Sequence, residues 1–235
     1  MRHSDRIRED PVMVDAPFTG FGPRAVDLLR ELAADNSKSW YDANRDGFEA
    51  QIRTPMLRLI AEAAERHGGG VKLFRQHRDL RFGKDRSPYK TSTYGLVTGL
   101  PDGRALYAAL TRDGFYAGTG AHQLSPDQLR RFRAAVDAQG SGEALRRIFE
   151  ALRAAGLDVG GDSLSGIPRG VARDHPRLEL LRLKSITAGA RLAPDAALDG
   201  RRPLQHAFRT WDMARPLTDW LAQHVGAARE PRARP

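Results

Sequence analysis

Residues 93–119 read T-Y-G-L-V-T-G-L-P-D-G-R-A-L-Y-A-A-L-T-R-D-G-F-Y-A-G-T. Three short apolar runs, Thr93 to Thr98, Ala105 to Leu110 and Phe115 to Thr119, alternate with turn residues. Pro101-Asp102-Gly103 is one turn. Asp113-Gly114 is the kind of pair that closes a two-residue hairpin. The spacing predicts an antiparallel meander, and this meander is the expected central sheet.

Working outward, Val71 to Phe74 also reads as extended, and Lys184 to Arg191 as one more strand. Helical periodicity lies on either side. Pro23 suits a first helical turn, followed by an apolar face of Val26, Leu28, Leu29 and Leu32. Asn36 or Ser37 can cap the next helix, which carries Trp40, Tyr41, Phe48 and Ile52. Pro55 is expected to break or kink it and to begin a third segment with Met56, Leu59, Ile60 and Ala63. Gly68 to Gly70 ends that run.

Beyond the meander, Ser125-Pro126 opens a helix with Leu129, Phe132 and Val136. Ser141 opens another, with Leu145, Ile148, Phe149 and Leu152, which stops at Gly156. Gly160 to Gly170 reads as a loop, and Pro176 starts a short helix through Leu181. Leu204, Phe208, Trp211, Leu217, Leu221 and Val225 build closing helices interrupted at Pro216. Trp40, Trp211 and Trp220 fall at core spacings. Helices, then strands, then helices imply an α+β single domain with a central antiparallel sheet flanked by N-terminal and C-terminal helices. Its expected limits are 17–226, between flexible extensions at 1–16 and 227–235.

The chain has 235 residues, 40% hydrophobic and 29% charged, enough to bury a core without staples. It has no cysteine, which removes disulfides, thiol nucleophiles and thiolate-bound metals. No stretch approaches the ~18 apolar residues of a membrane span, and Met1 to Asp10 is charged rather than signal-like. The expectation is therefore a cytoplasmic protein with no membrane partner. The formal net charge is +9 and the pI about 10.4, which favours anionic partners.

That charge is concentrated. From Lys72 to Lys90 there are seven Lys or Arg against Asp79 and Asp85, a net +5. Residues 75–90 read R-Q-H-R-D-L-R-F-G-K-D-R-S-P-Y-K. If 71–82 is one strand, Arg75, His77, Asp79 and Arg81 share a face, and Arg78 points with Phe74, Leu80 and Phe82. If the segment turns, Arg75, Arg78 and Arg81 gather at spacing three. Either way guanidinium groups converge, and their rigid fork suits phosphate or carboxylate.

Arg75-x-x-Arg78-Asp79-x-Arg81-Phe82, then Asp85 and Pro88-Tyr89-Lys90, resembles the signature R-x-x-R-D-x-R-F-x-x-D-K-x-P-Y-K of an uncharacterised bacterial family, domain of unknown function 2461. Phe18-x-Gly20-Phe21 with Asn36, Trp40 and Asn44 resembles its N-terminal block. Pro168-Arg169-Gly170, Asp174-His175-Pro176 and Leu180 to Ser185 resemble its C-terminal block. The resemblance covers nearly all of 18–222 and implies no reaction. The family has lysine where this chain has Arg86. Guanidinium stays protonated, so that position supplies charge rather than a nucleophile. His77 is not a position where the family is expected to carry histidine.

Three functional expectations follow. The first is a pocket for an anionic small molecule bearing phosphate or carboxylate. Arg75, Arg78 and Arg81 would clamp it, and Asp85, Arg86, Lys90 and Lys184 would complete the ligand-binding set. Asp79, Tyr89 and His175 would be the candidate catalytic groups. The second is a nucleic-acid-binding module on the same basic surface, with Phe82, Tyr89 and Tyr94 as interleaved aromatics. The third is a structural ion network, with function elsewhere. No cofactor or metal is expected: the histidines lack ligand spacing, and Gly118-Thr119-Gly120 lacks the rest of a nucleotide loop.

Overall fold

A β-rich centre with alternating burial needs a partner layer on only one side. In β2 (Ser92–Thr98), Thr93, Gly95 and Val97 are buried while Tyr94, Leu96 and Thr98 are half-buried. Such alternation marks an antiparallel strand with one covered face. The computed structural model, which describes residues 16–79, 86–100, 104–194 and 198–228, has that arrangement. β1 (Gly70–Leu73), β2, β3 (Ala105–Thr111), β4 (Gly114–Ala121), β5 (Asp158–Gly160) and β6 (Ile186–Leu192) form one antiparallel sheet. Its order is β1-β2-β3-β4-β6-β5.

The helices lie on one side of this sheet. α1 (Ala25–Ala34), α2 (Lys38–Phe48), α3 (Thr54–His67) and α7 (Arg202–Met213) enclose a core with Val97, Leu106, Ala108, Leu110, Phe115 and Ala117. α4 (Pro126–Asp137), α5 (Gln139–Ala154) and α8 (Arg215–His224) enclose a second, with Ile186 and Ala188. The strand residues of both cores come from a single sheet face, as the registers show: Val97 faces Leu106, Leu106 faces Thr119 and Thr119 faces Ala188. Trp211 pins α7 to that face by donating its indole N–H to the Gly118 carbonyl at 3.0 Å. The expected α+β domain with flanking helices is therefore present, with its layers settled as helices on one side only.

Ser37 accepts the Trp40 backbone N–H and caps α2. Asn36 instead holds the Tyr89 backbone. Ser125 and Gln128 form a capping box at α4. Several local expectations are corrected. Pro55 begins the third segment as expected, in the first turn of α3, but does not end the helical path: α2 runs into α3 through a π-helical turn, Glu49–Arg53. The wider turn accommodates the missing donor, and the Gln51 carbonyl, four residues before Pro55, accepts the Gly22 N–H at 3.0 Å. The β3–β4 turn is Arg112-Asp113, one residue earlier than expected, because Thr111 pairs with Gly114. Neither turn residue takes positive φ; Gly114 takes it instead, at 110°. α5 begins at Gln139, so Ser141 lies within its first turn and donates to the Ala135 carbonyl at 2.6 Å.

The loop expected from Gly160 opens instead with the end of a short edge strand, β5, and α6 is confined to Leu178–Leu181. Gly118-Thr119-Gly120 lies within β4. The turn Pro101-Asp102-Gly103 and most of the expected terminal extensions (1–16 and 227–235) lie outside the described residues. No helix among the described residues is long and apolar enough to cross a membrane.

Candidate functional site

The uncovered sheet face follows from the same registers. One row across six strands reads Lys72, Leu96, Tyr107, Gly118, Gly189, Asp158. The adjacent row reads Tyr94, Ala109, Tyr116, Arg191, and Phe74 joins it through a backbone N–H bond to Tyr94 at 3.1 Å. None of these side chains belongs to either core. Large rings therefore alternate with alanine and glycine, and each ring has room to lie over a small neighbour.

The result is a continuous aromatic band. Ring centroids are 4.6 Å apart for Phe74–Tyr94, 5.8 Å for Tyr94–Tyr107 and 6.1 Å for Tyr107–Tyr116. All four rings are half-buried. Tyr116 lies flat. A Cβ built on Gly189 would stand 2.1 Å from its hydroxyl, and one on Gly118 would stand 2.9 Å from its ring. Glycine at both positions is what lets the ring rest on the backbone, leaving its other face outward.

Cations border the band. Lys72 Nζ lies 5.1 Å from the Phe74 centroid, and Lys90 Nζ 4.9 Å from that of Tyr94. The Arg191 guanidinium lies 5.9 Å from Tyr116. These are cation–π distances. Burial pushes the Tyr107 phenol up to about 12, with Tyr94 and Tyr116 adding to the rise. Burial likewise raises Tyr116, the Asp158 carboxylate adds to this and Arg191 opposes it. Both phenols thus stay neutral, able to donate hydrogen bonds and to stack. At the β5 end the face opens into a recess of about 470 Å³ lined by Tyr116, Arg153, Asp158, Gly160, Gly161 and Thr187.

The arginine-dense segment flanks this face at the β1–β2 edge. The strand ends at Leu73, but 74–78 continues alongside 88–94. His77 bridges Tyr89, Lys90 N–H donates to the Gln76 carbonyl and Arg78 N–H to the Pro88 carbonyl. Gln76 is buried, donates to the Lys90 and Ser92 carbonyls and accepts from Thr93. Tyr89 is 2% exposed and stacks on Tyr41 at 4.0 Å. Asn36 grips the Tyr89 backbone at both ends, donating to its carbonyl at 3.1 Å and accepting its N–H at 2.9 Å. Arg78 donates to the same carbonyl at 2.9 Å.

The expected site residues therefore separate. Arg78 and Tyr89 are built into the packing of the edge. Arg75, Asp79 and Arg86 are exposed. Lys90 turns onto the aromatic band and donates to the Arg75 carbonyl at 2.8 Å. Arg81 and Asp85, with Phe82, lie outside the described residues. His175 and Lys184 do not join them. His175 packs against α4, with Nε2 3.1 Å from Asp137 and Nδ1 accepting the Arg177 N–H. Lys184 precedes β6, paired through its N–H to the Asp162 carbonyl. That is the diagonally opposite corner of the sheet, four strand spacings or roughly 19 Å across. No cluster of three or more metal-ligating side chains occurs among the described residues.

Sequence reasoning named Tyr94 and Lys90 but missed Phe74, Tyr107, Tyr116, Lys72, Arg153, Arg191 and Asp158. The period-two alternation in β2, β3 and β4 carried the signal, since Tyr94, Tyr107 and Tyr116 all fall opposite the core positions.

The family model described as "Conserved hypothetical protein (DUF2461)" matches residues 24–220. That is most of the chain, which belongs to this family. No curated protein and no solved structure matches it.

Proposed function

We propose that this member of the conserved hypothetical family DUF2461 is a binding protein for single-stranded nucleic acid, and that the open sheet face is its binding surface. The observation that carries this reading is the band Phe74–Tyr94–Tyr107–Tyr116 bordered by Lys72, Lys90 and Arg191. Rings offer stacking surfaces to unpaired bases, and the cations meet the backbone phosphates. Cations bordering the face outnumber Asp158, its one carboxylate among the described residues. A duplex could not present its bases to a half-buried ring. The first reading of the segment, an anionic small-molecule pocket, draws less support, because His175 and Lys184 stand away from Arg75 and Arg78.

The test is fluorescence anisotropy with labelled DNA and RNA oligonucleotides of about ten residues, within the ~4–16 nucleotides covered by single-domain binders. Binding is expected to weaken with salt. The Lys72→Ala/Lys90→Ala double variant should reduce the log–log salt slope by about 1.4, from ~0.7 per phosphate contact on single strands. Tyr94→Ala and Tyr116→Ala should each weaken binding about tenfold, from the ~1–3 kcal/mol per stacked base. A folded protein that binds neither nucleic acid at low salt would overturn the proposal. If it also sediments as a dimer, the face belongs to a second copy.

A further inference from the structure

Asp158 is out of place on a surface for a polyanion, and its position gives the reason. It is exposed, has no ion-pair partner among the described residues and faces Gly189 across the β5–β6 ladder. Gly189 is the residue over which the Tyr116 hydroxyl rests. Cross-strand partners hold their side chains ~5 Å apart on one face, so the carboxylate stands at the hydroxyl end of the Tyr116 ring. Arg191 lies near the same ring. Arg153, whose Nη2 donates to the Val159 carbonyl at 3.2 Å, closes the other side of the recess.

We infer that this recess is a base-reading subsite that selects guanine, an inference that rests on the nucleic-acid reading above. A base stacked on the outward face of Tyr116 turns one edge to Asp158. An ionised carboxylate accepts only. Guanine presents two adjacent donors, N1–H and the 2-amino group, which match its two oxygens. Adenine and cytosine each offer one donor beside an acceptor that repels the carboxylate. Thymine and uracil offer a single N–H between two carbonyls. Arg153 and Arg191 remain placed for the phosphates on either side of that nucleotide, since one guanidinium carries five N–H donors and Arg153 spends one on Val159. The carboxylate thus contributes specificity where the cations and rings contribute affinity.

The experiment uses the full chain and a thymine oligonucleotide of about ten residues with one central position varied. At fixed salt, guanine there should bind about tenfold more tightly than adenine or cytosine, the discrimination of one bidentate base contact. Hypoxanthine, which lacks the 2-amino donor, should lose most of that gain on the unaltered protein. Asp158→Ala should abolish the preference while leaving the all-thymine oligonucleotide bound as tightly or more tightly. Equal affinity for all four bases, or a preference that survives Asp158→Ala, would overturn the inference while the nucleic-acid reading stands. If no oligonucleotide binds at all, it is that reading that fails, and the subsite with it.

Discussion

The two faces of the sheet are written by alternate residues of the same strands, yet they obey different rules. On the covered face Leu106, Ala108, Leu110, Phe115 and Ala117 are essentially inaccessible and packed by helices. On the open face Tyr94, Tyr107 and Tyr116 are half-buried and touch chiefly one another and a border of cations. An antiparallel sheet can leave one face to water, and a solvated face ordinarily carries polar side chains. Four aromatic rings in mutual contact on such a face contribute less to folding than their area would in a core. What they offer is a surface for something else.

The sharpest way to break that contrast is truncation. Phe115→Ala, on the covered face, should destabilise by about 3–5 kcal/mol. Tyr107→Ala, on the adjacent strand but on the open face, should cost about 1–2 kcal/mol, the scale of cross-strand aromatic contacts. Chemical denaturation of both variants reads the difference. Equal losses would mean that the open face is a second core.

A smaller effect divides the arginine-dense segment itself. Arg78 supports the Tyr89 carbonyl that Asn36 also holds, so Arg78→Ala should destabilise by roughly 1–3 kcal/mol, as for a lost charged hydrogen bond. Arg75 is exposed, and Arg75→Ala should stay within about 0.5 kcal/mol. If denaturant midpoints of the two variants coincide, the structural share of this segment has been misassigned.

A further effect, confined to alkaline solution, is a pH dependence. Tyr107 holds its phenol at about 12 in the folded protein against 10.0 for the unperturbed group. The folded state therefore keeps a proton that the unfolded chain releases sooner. The stabilisation is complete below pH about 10 and is lost as pH rises through about 12. Stability followed over that interval should fall, and Tyr107→Phe should remove this residue's part of the fall. An unchanged pH profile in Tyr107→Phe would place the ring in water.

Much of the fold was legible because strand and helix periods are local properties. The runs at 93–98, 105–110 and 115–119 each appear as strands, and Lys184 to Arg191 anticipates β6 closely. Errors fell where a distant group supplied the missing interaction. Pro55 sits in a continuous helix because Gly22 takes the Gln51 carbonyl. Asn36 leaves the helix cap to Ser37 because the Tyr89 backbone is beside it.

The candidate site was legible only in part. Sequence charge drew attention to Arg75, Arg78 and Lys90, which are neighbours along the chain. It could not show that Lys90 bends onto Tyr94, or that His175 lies at the far end of the molecule.

The sequence by itself determined the α+β class, the family, the absence of cysteine chemistry and the strongly basic balance, since each is carried by composition, period or motif. Tertiary structure alone decided that the helices crowd one face and that Phe74, Tyr94, Tyr107 and Tyr116 line up on the other. It alone set Asp158 beside the Tyr116 hydroxyl. The physical reason is register. A strand's side-chain period says which residues share a face, but only the pairing between strands says which of them meet.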